Sequence, residues 1–213
     1  GVFYPPDLPQ RRELEYASRA LSTIEINGSF YSLQRPEHYA EWYDATPEGF
    51  VFSVKGGRYI THIRRLQDVL RPLANFFASG ILNLRDKLGP FLWQFPPNFG
   101  WDEERFDGFL AMLPRNTEQA LSLARRRDAR LHGRSRLAID ACRPLRHAVE
   151  IRHDSFRNER FVALLRRHGV ALVVADTAGK WPYVEDVTAD FMYLRLHGEK
   201  ELYASGYTEE ALD

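Results

Sequence analysis

Thr23-Ile24-Glu25-Ile26-Asn27-Gly28-Ser29-Phe30-Tyr31 is the stretch whose reading decides the fold. Ile24 and Ile26 alternate with Thr23, Glu25 and Asn27, the period-two pattern of a strand whose two faces meet different surroundings. A carboxylate and a carboxamide therefore share one face. Buried polar groups without partners are costly, so this face either pairs inside the fold or lines a wet cavity.

The same pattern returns along the chain. Residues 50–57 read as a strand with Val51, Ser53 and Lys55 on one face and Phe52 and Val54 on the other, ending on Gly56-Gly57. Residues 91–95 form an apolar run broken by Gln94, as in a parallel strand covered on both faces. In 148–153, Glu150 and Arg152 oppose Val149 and Ile151; 170–176 is a buried strand ending in Asp176; 192–198 sets Tyr193, Arg195 and His197 on one face. Helical spacing fills the intervals at 11–21, 36–43, 68–84, 101–113, 117–131 and 161–168, the last closed by Gly169. Residues 58–65 read as a polar loop, Gly89-Pro90 as a terminator, and 179–189 as a loop carrying Trp181 and Pro182.

Strands alternating with helices, and connections too long for hairpins, indicate a parallel sheet with helical crossovers. The polar residues gather at the carboxyl ends of nearly every strand: Glu25 and Asn27, Lys55, Gln94, Glu150 and Arg152, Asp176, Arg195 and His197. That gradient suits a (β/α)8 TIM-barrel-like fold, where inward side chains pack a dry core below and open into a mouth above. A doubly wound sheet concentrates its site at one switch point instead. Lys55-Gly56-Gly57 has neither dinucleotide-binding nor P-loop spacing, so no nucleotide cofactor motif is present.

Composition narrows the function classes. The 213 residues carry 29 Lys plus Arg against 29 Asp plus Glu, so no global field draws the chain to nucleic acid or an anionic membrane. Single-domain barrels reach this length, and one domain over 1–213 is the expectation. One cysteine, Cys142, forms no internal disulfide, which fits a reducing compartment. No apolar run has membrane-spanning length, and residues 1–6 lack the features of a secretory signal, so a cytoplasmic protein is expected.

The segments EINGSFY at residues 25–31, FSVKGGRYITH at 52–62, KLGPFLWQFPPNF at 87–99, EIRHDSF at 150–156, VVAD ending at Asp176 and YLRLHG at 193–198 together resemble the YecE-like family, domain of unknown function 72. The resemblance spans nearly the whole chain and implies a barrel of the (β/α)8 type. It also implies a further strand before the segment at Phe3-Tyr4-Pro5 and another after the last, so the barrel is expected to lack its first and last strands here. It implies no established activity.

Two chemistries suit the mouth. Glu25, Glu150, Asp176 and His197 form a set able to take a divalent metal or to act as acid and base. Lys55, Arg152 and Arg195 either neutralise those carboxylates in ion pairs or clamp the phosphate or carboxylate of a substrate. Asn27, Gln94, and Arg58 and His62 on the loop after Lys55, are placed for substrate contacts, and Tyr31, Tyr203 and Tyr207 for stacking. The expectation is an enzyme, a hydrolase or isomerase, acting on a small anionic or phosphate-bearing molecule. The alternatives are nucleic-acid binding or repair, with Arg58, Arg64 and Arg65 on phosphates, and a non-catalytic ligand-binding barrel.

Overall fold

The structure, a computed structural model, describes residues 3–198, 201 and 206–209. Its principal elements are α1 (Glu13–Ala20), β1 (Thr23–Ile26), α2 (Gly28–Tyr31), α3 (Pro36–Ala45), β2 (Val51–Lys55), α4 (Leu70–Ala78), β3 (Leu88–Gln94), α5 (Glu103–Met112), α6 (Thr117–Ala124), β4 (His147–Glu150), α7 (Glu159–His168), β5 (Ala171–Asp176) and β6 (Tyr193–Leu196). The strands run β1-β2-β3-β4-β5-β6 through a six-stranded sheet, each bonded to its neighbours in sequence. β1 with β2, β4 with β5 and β5 with β6 pair in parallel. The order never reverses, so the sheet lacks the switch point of a doubly wound fold. This is the α/β fold with a parallel sheet that the alternation predicts.

The chain packs into two compact units. The first is built from residues 1–57, 69–91 and 114–146, and the second from 58–68, 92–113 and 147–213.

In the first unit Thr23 lies opposite Val51, and Ile26 opposite Val54. A Cβ on Gly89 would come within 2.5 Å of Val51 Cγ1 and 2.9 Å of the Phe52 carbonyl oxygen. Gly89 and Pro90 thus belong to β3 rather than ending the preceding segment, because the strand needs a residue without a side chain at that approach. Phe77 packs edge-on against Phe91 at 5.2 Å, and Phe76 does so at 5.9 Å. Lys87 is buried, and its ammonium donates to the carbonyls of Tyr43 and Thr46 and to Thr46 Oγ1, 3.1 Å away. These acceptors close the carboxyl end of α3, where the helix dipole favours a cation.

In the second unit Ala148 pairs with Ala171, and the β5 register runs from Val173 opposite Tyr193 to Asp176 opposite Leu196. Small side chains fill one face of the sheet: Leu92, Ala148, Ala171, Val173 and Ala175. On the helical side, Trp93 meets Phe109 at 5.3 Å and Phe95 meets Phe106 at 4.8 Å, both partners lying on α5. Asp102 caps α5 by accepting from the Arg105 amide at 3.1 Å, and Gly169 ends α7 at φ 59°.

Several boundaries differ from the periodicity. The opening strand stops at Ile26, and residues 28–31 wind into α2. Residues 58–65 contain a π-helical turn, Tyr59–Ile63, followed by left-handed Arg65, Leu66 and Asp68. With Asp68 at φ 50° the next helix starts only at Leu70. It ends at Ala78, just before Gly80 turns the backbone left-handed at φ 102°, a place only glycine fills because a Cβ there would approach Pro36 Cα to 2.4 Å. The helix from 117 stops at Ala124, and the strand from 148 stops at Glu150.

Candidate functional site

Glu150 ends β4 and is fully buried. An unpaired carboxylate there would cost several kcal/mol, so its neighbours must supply donors or charge. Gln94 Nε2 donates to Oε1 at 3.1 Å, and Arg152 Nε donates to the same oxygen at 2.8 Å. Arg195 Nη1 donates to Oε2 at 2.6 Å. The backbone brings these groups together. The Phe95 amide donates to the Glu150 carbonyl, setting the end of β3 beside that of β4, while Arg152 lies two residues beyond Glu150 and so returns to its side. Arg195 enters from β6, opposite Ala175.

Both guanidinium side chains are nearly buried, 13% and 14% exposed. One carboxylate thus holds two guanidiniums, Arg152 through Oε1 and Arg195 through Oε2. Among the described residues the two Nη atoms of Arg152 make no hydrogen bond with protein, and they reach solvent. The face of the Arg152 guanidinium lies on the indole of Trp181, 3.7 Å from the ring centroid, with Lys180 Nζ 5.3 Å from the same centroid.

Trp181 stands on a tight loop after β5. Asp176 Oδ1 accepts from the Ala178 amide at 3.3 Å, Thr177 Oγ1 accepts from the Trp181 amide at 3.1 Å, and the Thr177 carbonyl accepts from the Lys180 amide at 3.1 Å. Ala178 and Gly179 are both left-handed, at φ 51° and 74°. His197 is buried, with Nε2 3.4 Å from Arg195 Nη1, and its amide donates to the Asp176 carbonyl. The Tyr207 hydroxyl accepts from the Gly198 amide at 3.0 Å. Burial, aided by the Asp176 carboxylate, pushes the Tyr207 phenol above its usual range.

Of the residues expected at the mouth, Gln94, Glu150, Arg152, Arg195 and His197 form one cluster, and Asp176 and Tyr207 meet beside the Trp181 loop. Glu25, Asn27, Tyr31 and Lys55 belong to the first unit. There Lys55 is buried with Nζ 4.5 Å above the Phe30 ring, while Ser29 Oγ donates to the Lys55 and Ile26 carbonyls. Glu25 is half-buried, Asn27 is exposed at the start of α2, and Tyr31 is 70% exposed. Arg58 is exposed ahead of the π-helical turn, and His62 Nδ1 lies 2.8 Å from Thr61 Oγ1. Tyr203 lies outside the described residues.

Among the described residues no three His, Cys, Asp or Glu side chains group to hold a metal ion. At Glu150, cationic donors occupy both oxygens. Sequence reasoning missed Trp181. Its signal was an aromatic residue shortly after the carboxylate that ends β5, on the side of the sheet where the other polar strand ends lie.

Over residues 1–213 the sequence matches the family described as Protein of unknown function DUF72. The chain belongs to the DUF72 family. This DUF72 chain is similar to the UPF0759 protein YunF of Bacillus subtilis (strain 168), at 29% identity over 106 residues. That match covers 47% of this chain and 38% of YunF, well under half the length of the relative. A crystal structure of a DUF72 family protein (TM1631) from Thermotoga maritima MSB8 superposes with a TM-score of 0.68 at 26% identity, covering 100% of this chain and 75% of that one. A DUF72 family protein (EF0366) from Enterococcus faecalis V583 superposes at 0.64 and 20% identity, covering 94% and 77%, and so shows a shared fold. No described helix of this DUF72 chain is long and apolar enough to cross a membrane.

Proposed function

We propose that this DUF72 chain binds a small molecule through an anionic head group at Arg152 and Arg195. The observation that carries this is the Nη edge of Arg152, a nearly buried cation that bonds Glu150 through Nε and whose two Nη atoms make no hydrogen bond among the described residues. A carboxylate or phosphate meeting that edge gains two charge-assisted hydrogen bonds. Glu150 is then the anchor of the arginines rather than an acid, base or ligand. His197 and Asp176 are the titratable groups left beside the head group for proton transfer, which suits hydrolysis or isomerisation of the bound molecule. The (β/α)8 barrel with its mouth at the strand ends belongs to this proposal, supported by a strand order without reversal.

Calorimetric titration of the purified chain with inorganic phosphate and with acetate tests the site. Binding that weakens with salt and is lost in Arg152→Ala is expected; no binding of either anion overturns the reading. If anions bind, turnover screening over phosphate ester and carboxylate ester substrates, with His197→Gln and Asp176→Asn as controls, separates an enzyme from a ligand-binding barrel.

A further inference from the structure

We infer that Trp181 is a positioning residue that fixes the plane of the Arg152 guanidinium, so that the site selects oxyanions presenting two oxygens along one edge over monatomic anions. This rests on the head-group reading above and adds what decides its selectivity. A guanidinium has two ways to lose its aim. Sliding within its own plane is prevented by the 2.8 Å hydrogen bond from Nε to Glu150 Oε1. Tilting about that bond is not, because one hydrogen bond leaves rotation around its axis soft. The indole, 3.7 Å from Arg152 Cζ, supplies the second constraint by covering one face of the guanidinium.

With Nε engaged and one face covered, the edge formed by Nη1 and Nη2 is what remains for a ligand. Two parallel N–H groups match two oxygens of a carboxylate or a phosphate, whereas a halide uses either donor from many directions. Fixing the plane therefore favours the bidentate partner and is nearly indifferent to the spherical one. The loop is built to hold this geometry. Alanine is uncommon at φ 51° and persists there only when its surroundings over-determine the conformation. Here two successive left-handed residues turn the chain back, while buried Thr177 accepts from the Trp181 amide.

The test is calorimetric titration of wild type, Trp181→Phe, Trp181→Leu and Thr177→Val with inorganic phosphate, acetate and iodide, each variant first checked for folding by its near-ultraviolet circular dichroism. In Trp181→Leu, phosphate and acetate are expected to bind about fivefold more weakly, the scale of one partly desolvated cation–π contact, with iodide affinity unchanged. Trp181→Phe keeps an aromatic face and should stay close to wild type. Thr177→Val, which loosens the loop without touching the indole, should lose part of the oxyanion preference, and it carries the test if Trp181→Leu does not fold. Acetate against phosphate separates a carboxylate site from a phosphate site. Parallel losses for iodide and the oxyanions, or no loss in either variant, overturn the positioning role. Absence of any oxyanion binding by wild type overturns the head-group reading instead.

Discussion

Lys87 and Glu150 are both buried charges, one in each unit, and their surroundings complete them in opposite ways. The Lys87 ammonium has three donors and meets three neutral acceptors, the carbonyls of Tyr43 and Thr46 and the Thr46 hydroxyl, with the Tyr43 ring 4.3 Å away. Its demand ends there, and the result is a plug at the end of α3. Glu150 instead recruits two guanidiniums, each of which brings more donors than the carboxylate uses. At Arg152 the two Nη atoms remain without a hydrogen bond among the described residues. A buried charge closed by neutral groups is structural, while in the proposed function one closed by a guanidinium leaves that fork for an anionic ligand.

Variants at the two sites sharpen this contrast. Glu150→Gln should have the largest effect on stability, because it removes the buried carboxylate that two nearly buried guanidiniums bond; about 3–5 kcal/mol is expected in urea unfolding. Added phosphate should recover part of that loss by supplying the missing negative charge, and no recovery would break the link between Glu150 and anion binding. Lys87→Met removes the plug and leaves buried carbonyls without a donor, at about 1–3 kcal/mol. Its phosphate affinity should equal that of wild type, and a change there would make the two buried charges alike after all.

Arg152→Lys tests the role of the guanidinium directly. It keeps the charge but loses the fork, so phosphate affinity should fall about tenfold, the loss of one charge-assisted bond, while the unfolding midpoint moves little. Ala178→Gly relieves a left-handed alanine, yet it also makes the unfolded chain freer. These effects oppose each other, and the net change should stay within about 1 kcal/mol.

The smallest effect concerns pH at Asp107, on α5. His168 Nε2 lies 2.6 Å from its Oδ1 and Arg167 Nη2 lies 3.1 Å away, and these contacts hold its carboxyl below the usual range, the His168 hydrogen bond contributing most. A depressed carboxylate adds stability that is present above its unfolded value, about pH 4, and lost as pH falls through the folded one. Asp107→Asn should therefore flatten the acid limb of the stability profile and leave anion binding untouched.

The alternation of Ile24 with Glu25, and of Val149 with Glu150, was enough to show strands, and the crossover lengths were enough to show parallel pairing, because both depend on short-range geometry. The polar strand ends were legible for the same reason, and four of them, Gln94, Arg152, Arg195 and His197, gather with Glu150. Boundaries were less so. The end of β1 at Ile26, the π-helical turn at Tyr59–Ile63 and the place of Gly89 within β3 depend on what packs alongside.

What the sequence determined by itself is therefore the α/β class, the family and the side of the sheet that carries the polar residues. Which charge pairs with which was decided only by the tertiary structure. Hydrogen bonds form across strands distant in sequence, and a carboxylate becomes a ligand, a base or an anchor according to the donors that reach it first. Glu150 and the indole over Arg152 are the clearest cases: only the Arg152–Glu150 bond is local, and the contacts of Glu150 with Gln94 and Arg195 and of Arg152 with Trp181 arise where β3, β4 and β6 end beside the loop after β5.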